Sequence, residues 1–213
     1  MSFLPEILFF LFYLRVSDVY ICNQIIFRSF HCTSLGLLSF KNIMKYGFTL
    51  VELQHPIQTI LSNISLSLFS LENDKYKENS YYQNDEHFFI KMIVLYFLVY
   101  LIYDLKHCYK RNDLFIHHIV CFVWCLLNCK YYIGCISVII IAEGVTFAYF
   151  IPTLKYQYIY RLVFTTFVRF PIWVIYIYFT YNNTIINMCV FIFMFCMDCI
   201  WLNQNLKKIK QCN

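Results

Sequence analysis

Asp113, His117 and His118 stand close together in a chain that is otherwise mostly apolar. Asp113 and His117 are four residues apart, so on a helix they share a face. A carboxylate beside an imidazole orients the ring and raises its basicity, which suits general base work on an amine or a hydroxyl. His118 is rotated by about 100° from His117 and addresses a different neighbour. Asp104 ends the preceding apolar run and is within reach of either histidine. These four residues are the candidate catalytic set. The competing reading is a helix-end polar cluster that fixes packing and topology.

Two further ionisable residues fall inside apolar segments. Glu143 interrupts VIIIAEGVTFAYFI, and Arg169 lies two residues before Pro171. An intramembrane charge is costly and marks function or a partner. A Glu143–Arg169 pair would lower both desolvation costs and is the expectation here. His31, near the start of an early apolar segment, joins them as a buried polar or lipid-binding candidate.

Metal chemistry finds little support in the pattern. Membrane di-iron enzymes need several closely spaced histidine boxes, whereas here only His117 and His118 are adjacent. Cys121, Cys125 and Cys129 fall on one helical face but suit packing as small polarizable residues. Cys196 and Cys199 form a C-x-x-C without a second copy, a weak signal. No metal and no cofactor is therefore expected, and no P-loop, H-E-x-x-H or G-x-S-x-G pattern occurs.

The elements that position these residues follow from composition. Of 213 residues, 61% are hydrophobic and 14% charged, with a mean hydropathy of +0.58. A soluble domain carries roughly 25% charge. The expected class is an all-α, polytopic transmembrane helix bundle. The net charge of +5 is spread over short loops, so nucleic-acid binding is not expected. The 11 Cys sit mainly in apolar runs, unlike a secreted disulfide scaffold.

Along the chain, 3–14 reads as a first span or anchor, and 21–51 holds a second with unclear bounds, interrupted by Lys41 and Lys45. The polar region 52–87 contains a mildly apolar stretch at 57–71. Further spans are expected near 88–105, 114–133, 133–153, 159–180 and 184–203. The total is six or seven spans. Lys and Arg in alternate loops place the C-terminus in the cytosol, and the sequons at Asn63 and Asn182 would then face the lumen.

Several fragments together resemble the TLC domain family, which includes ceramide synthases and translocation-associated proteins. Ser29-Phe-His31 resembles the family's Ser-x-His entry to an early span, and Tyr100-x-x-x-Asp104 its span end. Asp113 with His117-His118 is similar to its polar residue followed by a double histidine. Glu143-Gly-Val-Thr146 falls where many members carry Glu-x-Ser/Thr. Phe167-Val-Arg169-Phe-Pro171 and Asp198-Cys-Ile-Trp201, followed by Lys207-Lys208, resemble its last two spans. The resemblance covers 28–210, with 1–27 as a separate N-terminal membrane segment. Synthases carry His-Asp and a second Asp about 25 residues beyond the double histidine. This chain has Glu143-Gly144 there, which puts it closer to the non-synthase branch.

The resemblance implies a lipid-related role in the endoplasmic reticulum or a related internal membrane: binding, sensing or metabolism of acyl chains or sphingolipid. The enzyme alternative is an acyltransferase with acyl-CoA as substrate, attracted by Lys106, Lys110 and Arg111. A third reading is a cargo receptor or chaperone that uses the 52–87 region. Membrane lipids are the expected partners, with room for protein cargo and a homo-oligomer.

Overall fold

The computed structural model describes residues 4–46, 85–128, 133–180 and 185–211. All regular structure among them is helical. The segment 47–84 lies outside the described residues, as do 129–132 and 181–184. Most of the polar region, the 57–71 stretch, both sequon asparagines and Cys129 are therefore outside as well.

Helix α1 (Leu4–Ile21) and α2 (Gln24–Tyr46) are joined by a tight break. Cys22 has a φ of 51° there, in the left-handed region that side chains rarely adopt. Asn23 starts α2 because its Oδ1 accepts the N–H groups of Ile25 and Ile26 at 3.0 and 3.2 Å, as an N-cap should. Helix α3 (Asp85–Cys108) and α4 (Asn112–Asn128) flank the short basic loop. Helix α5 (Ile133–Ile141) continues as a 3₁₀ segment (Ala142–Phe150). It stops at Ile151, which is extended because the following Pro152 disfavours helical backbone before it.

The next rod runs through α6 (Leu154–Phe164), a π-helical turn (Thr165–Arg169) and α7 (Phe170–Thr180). Pro171 lacks a donor and its ring crowds the carbonyl four residues back. That residue is Phe167, inside the π turn, where the widened backbone accommodates the conflict. Helix α8 (Ile185–Gln211) closes the bundle.

Among the described residues, three helices are long and apolar enough to cross a membrane: Phe88–Cys108, Leu154–Tyr178 and Ile185–Gln211, with 21, 25 and 27 residues. At about 1.5 Å per residue each exceeds the ~30 Å hydrocarbon core. They mark the chain as a membrane protein. The expected total of six or seven spans is not reached on this criterion. Helix α1 carries Glu6, Arg15 and Asp18, and α2 carries Arg28, Lys41 and Lys45. The apolar helices Asn112–Asn128 and Ile136–Phe150 are shorter. The expected span over 133–153 is thus a compound α/3₁₀ rod, and the one expected over 159–180 starts earlier, at Leu154.

Much of the outer surface is apolar, and several charged residues lie in the interior. Phe9, Phe12, Leu37, Leu127, Phe167 and Ile185 point outward, whereas Asp104, His117, His118, Arg169 and Asp198 are buried. Outward-facing apolar side chains cost nothing in lipid, and inward polar groups find partners there. Helix α2 packs closely on the 3₁₀ segment. A Cβ at Gly36 would lie 3.3 Å from the Gly144 nitrogen and 3.6 Å from the Ile140 carbonyl oxygen. Backbone cannot move aside as a side chain does, and small residues are what allow such approach between membrane helices.

Gly36→Val should therefore lower the thermal stability of the detergent-solubilised protein by the ~1–3 kcal/mol typical of overpacking. Leu37→Val, on the outward face, should leave it near wild type. Equal melting temperatures for the two variants would contradict the close crossing.

Candidate functional site

The polar interior draws on α2, α3, α4, the 3₁₀ segment, the π turn, α7 and α8. At its first position, Arg28 of α2 meets Asp104 of α3. The Arg28 Nε donates to both carboxylate oxygens, at 3.0 and 2.7 Å. Asp104 is fully buried, so the guanidinium supplies the charge compensation that burial demands. Cys108, one turn further along α3, donates to Asp104 Oδ2 at 3.2 Å. His118 brings its Nδ1 to 3.5 Å from the same oxygen and to 3.5 Å from Cys108 Sγ. Asp104 thus reaches one of the two histidines, His118.

His117 looks elsewhere, as the helical rotation requires. Its Nε2 lies 3.7 Å from Glu143 Oε1 on the 3₁₀ segment and 3.7 Å from Cys121 Sγ. Its Nδ1 is buried and has no hydrogen-bond partner among the described residues. Asp113 does not orient this ring. The Asp113 carboxylate instead accepts from Arg111 at 3.2 and 2.6 Å and from Trp201 Nε1 at 3.1 Å. The Trp201 indole lies against His117, with ring centroids 5.4 Å apart. The hydrogen bond from Arg111 is the main reason the Asp113 carboxyl is held down at about 2. Asp113 therefore stays ionised at neutral pH and is engaged at the loop end of α4.

The expected Arg169–Glu143 ion pair is not formed. Arg169 Nε donates to Asp198 Oδ2 at 2.7 Å, and Arg169 Nη1 donates to the Ala142 carbonyl at 2.9 Å. Trp173 Nε1 donates to the same Asp198 oxygen at 2.6 Å. Arg169 belongs to the π turn, whose extra residue per turn changes the direction of its side chain relative to a regular helix. That direction leads to α8 rather than to Glu143, although Arg169 holds the carbonyl of the residue just before Glu143.

His31, fully buried, lies one turn further along α2 and also faces α3. Its Nδ1 is hydrogen-bonded to the Tyr96 hydroxyl, and its Nε2 has no hydrogen-bond partner among the described residues. Next to it, the Cys32 thiol donates to the Tyr100 hydroxyl at 3.2 Å, and the Tyr100 ring faces His118 with centroids 6.2 Å apart. His31 is therefore one aromatic layer removed from the histidine pair.

Three residues gain importance that the sequence reading did not give them. In the sequence neither Arg28 nor Cys108 stands out, and Trp201 enters only through a motif. The available signal for Cys108 was its position four residues after Asp104 on one helix, with a histidine across a short loop. Asp104, Cys108 and His118 form the one trio among the described residues with donor atoms close enough to share a metal ion.

Comparison with known proteins adds no relative: no protein-family model, no curated protein and no solved structure matches the chain.

The Arg169–Asp198 pair makes a direct prediction. Removing one partner strands a charge whose side chain is nearly inaccessible, at 3% and 2% exposure for the two residues. Asp198→Ala should therefore cost about 3–5 kcal/mol in the detergent-solubilised protein. Arg169→Met combined with Asp198→Leu should recover part of that loss. Glu143→Ala should cost less than Asp198→Ala, since Arg169 keeps its carboxylate. A wild-type melting temperature for Asp198→Ala would show that the pair carries no structural weight.

Proposed function

We propose that this chain is a TLC-like, lipid-handling membrane protein that takes an acyl chain or sphingolipid into its helix bundle. The observation that carries this reading is His117. It is buried among helices whose outer faces are apolar. One ring nitrogen is near a carboxylate and the other has no hydrogen-bond partner among the described residues. A buried polar atom in that condition calls for a partner. The hydroxyl, amine or amide of a lipid head group has the required chemistry, and the surrounding helices offer an apolar environment for its chain. The TLC-type order of Asp104, His117-His118, Glu143, Arg169 and Trp201 supports the same reading.

The same geometry favours acyl-CoA-dependent acyl transfer as the second reading. His117 is then the general base, and Glu143 takes the orienting place first given to Asp113. His118 and Asp104 form a neighbouring pair with a supporting part. An internal membrane such as the endoplasmic reticulum, with a cytosolic C-terminus, fits both readings, because Lys106, Lys110 and Arg111 would share the inside with the basic end of α8.

The test is native mass spectrometry of protein purified in mild detergent, followed by incubation with acyl-CoA and a sphingoid base. Wild type should retain lipid, and His117→Ala should change its amount or identity. New amide that falls by about 10²–10⁴-fold in His117→Ala selects the acyltransferase. Bound lipid without turnover selects a carrier or sensor. A folded wild type with neither lipid nor product would overturn both and leave the cargo-receptor reading.

A further inference from the structure

We propose that Asp104, Cys108 and His118 bind a zinc ion. Their three donor atoms are Asp104 Oδ2, Cys108 Sγ and His118 Nδ1. Each is close to the other two: 3.2 Å from oxygen to sulfur, 3.5 Å from sulfur to nitrogen and 3.5 Å from oxygen to nitrogen. Zinc bonds to such atoms are about 2.0–2.3 Å long, so the edges of a tetrahedral site measure roughly 3.3–3.8 Å. The trio therefore already forms one face of a zinc tetrahedron, with almost no movement needed. All three residues are at most 4% exposed.

The local sequence produces this face. Asp104 and Cys108 are one turn apart near the end of α3, so both project to the same side. The loop to α4 is short, and it returns the chain so that His118 meets them. The site thus joins two helices across a turn, a common economy in metal centres built from helical residues.

The ligand chemistry selects the metal. One thiolate, one imidazole and one carboxylate form a mixed set of borderline softness that suits zinc better than calcium or magnesium. Without a metal, the single oxygen Asp104 Oδ2 is approached at once by Arg28 Nε, the Cys108 thiol and His118 Nδ1. A cation at the centre of the trio uses all three donor atoms.

Arg28 brings a positive charge to the same carboxylate, and the two oxygens can divide between it and the metal. Arg28 Nε also reaches Asp104 Oδ1, at 3.0 Å, so it can remain on that oxygen while Oδ2 takes the metal. Such a hydrogen bond to a ligating carboxylate is the usual second layer of a metal site. Its Nη2 lies 3.5 Å from Cys108 Sγ, a donor for the thiolate that binding creates. Zinc binding displaces the Cys108 thiol proton to solvent. Zinc, Asp104 and Cys108 then sum to zero, and an anionic fourth ligand such as hydroxide would offset Arg28. Three protein ligands leave a fourth position for water or a substrate oxygen.

The proposal is independent of the lipid reading, and its test measures metal rather than lipid or product. The full chain is purified without chelator or metal-affinity resin, incubated with zinc chloride, desalted and analysed by inductively coupled plasma mass spectrometry. Wild type should hold about one zinc per chain, and His118→Ala and Cys108→Ser should hold at least tenfold less. Cys196→Ser, outside the trio, should keep the wild-type content. If the site variants fail to fold, zinc X-ray absorption on wild type decides. One sulfur at about 2.3 Å with nitrogen and oxygen at about 2.0–2.1 Å supports the site. No zinc in folded wild type, an all-sulfur shell, or full zinc content in folded Cys108→Ser would overturn it.

Discussion

Charge inside an apolar bundle has to be compensated, and this constraint fixes the arrangement of the helices. Two guanidinium–carboxylate pairs meet it. Arg28 with Asp104 ties α2 to α3, and Arg169 with Asp198 ties the π turn to α8. Removing a charge from water costs several kcal/mol per ion, which only close, multiply hydrogen-bonded partners offset. Each pair has those additional bonds: Cys108 on Asp104, and Trp173 on Asp198 together with the Ala142 carbonyl on Arg169. Between the two pairs lie His117 and His118, each directed toward a different acid. The histidines are thus held by a frame that already satisfies its own charges.

The placement of polar residues was legible in the sequence, and their pairing was not. An apolar run broken by one acid or one cation is visible without a structure, so Asp104, Glu143 and Arg169 could be singled out. The helical class followed from the same runs. Pairing depends on depth and rotation, which periodicity alone does not supply. Arg28 and Asp104 are 76 residues apart, and much of the intervening chain is the polar region. Asp113 and His117 do share a helix, but Arg111 is closer to Asp113 in sequence and carries a full charge. A neighbouring guanidinium, with its fork of donors, outcompetes an imidazole for a carboxylate. The expected six or seven spans are not confirmed: among the described residues α1 and α2 each carry three charges, and the apolar run at 133–153 changes helix type midway.

Glu143 owes its position to that change. Regular helix over Ile133–Ile141 gives way to nine residues of 3₁₀ helix, an unusually long run for a geometry whose hydrogen bonds are poorer. A 3₁₀ helix repeats every three residues, so Glu143 and Thr146 stack on one face. The Thr146 hydroxyl donates to the Glu143 carbonyl at 2.8 Å and meets Thr33 of α2 at 3.4 Å. Gly36 lets its backbone approach the 3₁₀ segment at the level of Gly144. The tightened segment therefore sits against α2 with its acid directed toward His117.

The second irregular segment has the same relation to the polar interior. The π turn is the only one among the described residues, it precedes Pro171, and it carries the arginine that reaches α8. Local helix rules are thus broken at two places, and both breaks supply a charged residue to the interior. Sequences tend to depart from their local preferences where a functional arrangement demands it. In a packing-only bundle, a regular helix with an alanine at either position would be the lower-energy choice. The retained irregularities, the unpartnered His117 nitrogen and the convergence of Asp104, Cys108 and His118 all lie along one polar path from α2 to α8. The irregular segments thus fall where the buried polar groups meet, and the two ion pairs brace the helices around them.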